Sequence, residues 1–76
     1  MDKTTRINGI GTLVTTEKSG SSLTLTRAAS KAWHGGTGPE FVSKVLQIAR
    51  DVARYGSGSC GIFDASGAML RNIEER

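Results

Sequence analysis

One cysteine in 76 residues excludes an intrachain disulfide framework, and nothing in the chain asks for an oxidising compartment. One histidine beside that one cysteine falls short of a four-ligand zinc site. No apolar run approaches the ~20 residues of a membrane helix. The opening stretch MDKTTRING lacks the apolar core of a signal peptide. The expectation is therefore a cytoplasmic chain with no membrane partner. Aromatics are scarce, with one Trp, one Tyr and two Phe, and no aromatic RNA-recognition motif is present. The ten Lys and Arg exceed the seven Asp and Glu by three. That balance is compatible with a nucleic-acid or acidic-protein partner, but the cations are scattered and form no polybasic run. The carboxylates show no close pair in an apolar setting. A chain of this length is one domain over residues 1–76, burying about 60–65% of its unfolded surface and leaving room for one layer of core.

What is present is one strong helical period, over Pro39–Tyr55. Phe41, Val45, Ile48, Ala49 and Val52 recur at spacings of three and four and share one face. Val42, Leu46 and Ala53 widen that stripe, while Glu40, Lys44, Gln47, Asp51 and Arg54 fall opposite. Thr37 with Glu40 fits a capping box. Gly38 is an alternative N-cap that puts Pro39 at the tolerated first helical position. Gly56 is the expected left-handed terminator after Arg54. At ~1.5 Å per residue this helix is roughly 25 Å long, enough to cover a small sheet.

The flanks read as strands. Residues 1–5 are expected to be a loose terminus. Residues 6–16, rich in β-branched side chains, predict one strand in which Gly9 and Gly11 mark a bulge or sharp coiling. After a polar turn, SLTLTR over 22–27 alternates cleanly, so 6–27 forms a hairpin. AASKAWH over 28–34 reads equally as a helical turn, a continuation of the strand or a loop. Beyond the helix, residues 59–73 predict a second hairpin around Asp64-Ala65-Ser66-Gly67, with Asp opening the turn and Gly in its left-handed position. The fold class expected is α+β in the order ββαββ, an antiparallel four-stranded sheet with one long helix on one face.

That geometry carries the main functional expectation. Apolar strand residues occur at both parities: Ile7 and Leu13 against Ile10 and Val14, Ile62 against Phe63, Leu70 against Met69. One helix covers one face, so the other keeps exposed apolar area, which marks an interface with a protein partner or a second copy of the chain.

The motifs for chemistry are weaker than their spacings. Gly56-Ser57-Gly58-Ser59-Cys60-Gly61 matches G-x-G-x-x-G, but it follows a helix and enters a strand, the reverse of a dinucleotide site; a C-cap and joint is the better reading. Gly35-Gly36-Thr37-Gly38 precedes a helix and offers backbone N–H groups to an anion. It lacks the P-loop lysine, and Glu40 repels phosphate, so a structural loop is preferred. His34 with Cys60 is a formal nucleophile pair, yet a lone cysteine in an apolar strand is more often core. The expectation is a non-enzyme with no cofactor and no metal. Trp33 has three readings: stacking on a base beside Arg27 and Lys31, anchoring a protein interface, or folding back over the helix start.

A helix carrying Ala49, Ala53 and Gly56, followed by a hairpin with Asp64-x-x-Gly67 and Leu70, resembles small bacterial and phage domains of unknown function. It is also similar in size and layout to phage-encoded anti-CRISPR proteins, over roughly residues 40–73. The resemblance implies a small inhibitor that occludes a bacterial defence complex without doing chemistry. Candidate partner-binding residues are Arg27, Lys31, Trp33, Arg50 and Arg54. The alternative is a basic nucleic-acid-binding module drawing on Arg6, Lys18, Arg27, Lys31, Arg50 and Arg54, whose affinity falls steeply with salt.

Overall fold

The computed structural model describes residues 3–16, 20–35, 39–56 and 58–74. The chain runs β1 (Lys3–Ile7), β2 (Gly11–Thr15), β3 (Ser21–Leu25), α1 (Arg27–Gly35), α2 (Pro39–Tyr55), β4 (Ser59–Phe63) and β5 (Met69–Glu74). The strands form one sheet in sequence order, with β3 and β4 parallel and the other neighbours antiparallel. Both helices pack on one face, α2 over β3, β4 and β5, and α1 against β3 and α2. The α+β class stands. Five strands replace the four expected, two helices replace one, and the sheet is mixed rather than antiparallel.

Each difference has a local cause. Residues 6–16 are not one strand, because Gly9 takes a φ of 79° while Asn8 keeps a negative φ. That is the φ pattern of a type II turn, closed by the Ile10 N–H donating to the Ile7 carbonyl at 3.1 Å. The turn folds Lys3–Ile7 back onto β2, so residues 3–5 of the terminus expected to be loose belong to an edge strand, rich in β-branched residues as pairing favours, and residues 1 and 2 lie outside the described residues. Ile10 sits in that turn with 3% of its surface exposed. It belongs to the core and not to the outer sheet face.

Residues 27–35 resolve the ambiguous stretch as a helix. Thr26 is its N-cap: Oγ1 accepts from the Ala29 N–H at 3.2 Å and the carbonyl accepts from the Ser30 N–H at 2.8 Å. Arg27 therefore opens α1 instead of ending a strand. Trp33 and His34 are helical residues, not members of a loop. The parallel pairing follows from α2. Its ~25 Å is longer than a five-residue strand of about 17 Å, so it carries the chain back past the start of β3. A crossover of that length joins parallel strands, whereas antiparallel neighbours need only a tight turn.

α2 has the bounds read from its periodicity, with Pro39 as its first residue. The N-cap candidates Thr37 and Gly38 lie outside the described residues. Its C-terminus differs from expectation: the left-handed residue is Gly58, φ 88°, whose N–H donates to the Ala53 carbonyl at 2.9 Å, and Gly56 is not left-handed. Val45, Ala49 and Ala53 form the buried stripe of α2. They meet Leu23 and Leu25 of β3 and Cys60 and Ile62 of β4 in one cluster. Two alanines in the stripe keep the helix close to the sheet. A register slip between Ile62 and Phe63 makes Leu70 the extra residue of a bulge. Leu70 and Ile73, three positions apart, thereby both reach the core.

Candidate docking face

The strand registers place two complete rows of side chains on the face that carries no helix. One row is Arg6, Thr12, Thr24, Phe63 and Met69; the next is Thr4, Val14, Ser22, Gly61 and Asn72. The first follows from alternation: Leu23, Leu25, Cys60 and Ile62 point to the helices, so the residues between them point away. The rows are mostly small and hydroxylic, with apolar side chains only at Val14, Phe63 and Met69. Met69 is 58% exposed.

Gly61 gives this face its relief. A Cβ there would stand 3.0 Å from the Phe63 ring and 3.4 Å from the Met69 terminal methyl. The two larger side chains therefore lean over the glycine from adjacent strands. Beside them runs an open groove of about 270 Å³ lined by Thr16, Ser22, Ser59, Gly61, Phe63, Met69 and Asn72. The other end of the face holds a recess of about 200 Å³ at the β1–β2 turn, lined by Arg6, Asn8, Gly9, Thr12 and Thr26 among others. Arg6 makes no ion pair among the described residues. The five-residue segments of β1, β2 and β3 contain no carboxylate.

Of the five residues marked from sequence, Arg27 and Lys31 lie on the exposed side of α1, and Arg50 and Arg54 on the exposed side of α2. All four belong to the helical layer, away from Phe63 and Met69. Trp33 is half-buried and packs against the core cluster. The apolar residues of the open face, Val14, Phe63 and Met69, are legible as the odd parity of their strands. The rows of Thr and Ser beside them carry no sequence signal beyond β-propensity.

A separate polar cluster ties α1 to the β4–β5 turn. Asp64 Oδ1 accepts from the Ser66 N–H at 2.9 Å, the Ser66 hydroxyl at 2.6 Å and the Ala68 N–H at 3.0 Å. Its Oδ2 lies 3.6 Å from His34 Nε2. Ser30, buried in α1, accepts the Ala65 N–H on its hydroxyl at 2.7 Å. The Ser66 hydroxyl hydrogen bond, reinforced by the two backbone donors and His34, holds the Asp64 carboxyl below its ordinary value. The Ser66 hydroxyl and two backbone N–H groups all donate to one Asp64 oxygen, so these bonds close the β4–β5 turn. Gly67 completes it in the left-handed conformation, as the sequence predicts. Cys60 is fully buried, and burial pushes its thiol up to about 11; at neutral pH it is a protonated core residue. Among the described residues no three His, Cys, Asp or Glu side chains cluster to hold a metal, and no helix is long and apolar enough to cross a membrane.

No protein-family model, curated protein or solved structure matches this chain.

Proposed function

We propose that this chain is a non-enzymatic protein-binding module that docks through its helix-free sheet face. The observation that carries the reading is the leaning of Phe63 and Met69 over Gly61 beside an open groove, on the face against which neither helix packs among the described residues. An aromatic and a methionine offered together outside the core supply adaptable apolar contact of the kind interfaces use. The resemblance to phage-encoded inhibitors supplies the finer form: occlusion of a partner's surface by a small rigid domain. The four candidate cations Arg27, Lys31, Arg50 and Arg54 lie in the helical layer and Lys18 lies outside the described residues, which ranks the nucleic-acid reading second.

The test compares the tagged chain with a Phe63→Ser/Met69→Ser variant in capture from bacterial lysate at about 0.1 and 0.5 M salt. The reading expects a partner retained at both salts and lost in the variant, whose fold is checked by circular dichroism. Retention by the variant moves the docking surface elsewhere. Capture that disappears at the higher salt and is replaced by added nucleic acid favours the second reading.

A further inference from the structure

We infer that the open face takes an extended protein segment bearing a carboxylate and an apolar side chain four residues apart. This rests on the protein-binding reading above and names the chemistry of the partner. Arg6 and Phe63 share one row of the face, at positions separated by β2 and β3. Three inter-strand steps of ~4.8 Å put their backbone positions about 14 Å apart.

The two ends of the row ask for different groups. The Arg6 end is a recess lined by Arg6, Asn8, Thr12 and Thr26. Its cation makes no ion pair among the described residues, and the three strands nearest it carry no acid. A carboxylate there accepts from the guanidinium and the hydroxyl donors without opposing a like charge. The Phe63 end is the apolar lip over Gly61, with Met69 beside it. The span between them is Thr12 and Thr24, whose side chains are short.

Spacing then selects the segment. An extended chain advances ~3.4 Å per residue, and alternate side chains share a face. Four residues cover about 14 Å and keep both side chains pointing down. A separation of two is too short, six too long, and three or five turns one group away from the sheet.

The experiment records backbone amide shifts of the isotope-labelled chain on titration with eight-residue peptides. The peptides carry one Asp and one Leu at separations of two, three, four, five and six on a Ser/Thr background, with an Asp→Asn control at separation four. The expected result is shifts at Thr12, Thr24, Phe63 and Met69 that are largest at separation four. The Asn control and the Arg6→Gln variant should each weaken binding about threefold to fivefold, as an exposed ion pair allows. Arg6 is exposed on an edge strand, and the dispersion of the variant's spectrum verifies its fold. Open-face shifts that ignore both spacing and the Asp overturn this inference and leave the protein-binding reading intact. No open-face shift from any peptide overturns this inference alone, and lysate capture that survives the Phe63→Ser/Met69→Ser change overturns docking through this face. Shifts of these amides by oligothymidylate, with none from peptides, overturn both and assign the face to single-stranded nucleic acid.

Discussion

At the scale of the residue, Asp64 and Ile62 separate two kinds of stabilisation. Asp64 accepts three hydrogen bonds through one oxygen, and its carboxyl is lowered in the folded chain. A lowered acid contributes stability that is present above its unfolded pKa and lost as pH falls through the folded one. Thermal midpoints measured from about pH 6 down to pH 2 should therefore fall for the natural chain through the acid range, and fall less for Asp64→Asn. Equal slopes would remove Asp64 from the acid response. Ile62 is fully buried between α2 and β3. Ile62→Ala loses transfer energy and leaves a cavity, and should cost roughly 3 kcal/mol in denaturant unfolding. For a domain this small that is a large share of total stability.

At the scale of the element, α1 is the part that sequence periodicity missed. Nine residues give too few turns for an apolar stripe to stand out, and only Ala29 and Ser30 are buried. The signal lay in Thr26, whose side chain caps the helix. A threonine at the end of an alternating strand also reads as one more strand residue. Thr26→Ala should destabilise the chain by about 1 kcal/mol, seen as a lower midpoint in urea with an unchanged slope. Ser30→Ala frees the Ala65 N–H, whose partner is the Ser30 hydroxyl. Faster hydrogen exchange confined to the β4–β5 turn is the expected result, because the bond joins α1 to that turn and to nothing else.

At the scale of the whole molecule, the asymmetry of the two sheet faces governs association. Among the described residues of its two complete rows, the open face has only Val14, Phe63 and Met69 as apolar groups, since Ile10 has left it for the core. Three apolar side chains among threonines and serines give a second copy of the same face little apolar surface to bury against. Light scattering coupled to size exclusion at low and high salt should therefore find a monomer at micromolar concentration. A dimer at both salts would assign the face to self-association, and the Phe63→Ser/Met69→Ser variant should then be monomeric. The same double variant should lower stability far less than Ile62→Ala, because Met69 is already largely in water and Phe63 is only partly buried.

The sequence by itself determined α2, the β4–β5 turn and the two-sided apolar parity of the strands. Each is a local or strictly periodic feature: Val45, Ala49 and Ala53 repeat every four residues, and Asp64 with Gly67 meets the dihedral demands of one turn. Only the tertiary structure decided the rest. Whether Gly9 bends a strand or ends it depends on Lys3–Ile7 finding β2 as a partner. Whether Gly56 or Gly58 terminates α2 depends on which residue reaches the Ala53 carbonyl as the chain turns into β4. The parallel β3–β4 pair and the alignment of Arg6, Thr12, Thr24 and Phe63 in one row join residues far apart in sequence. Register between distant strands is set by the packing of one shared core, and a reading confined to neighbours along the chain has no access to it.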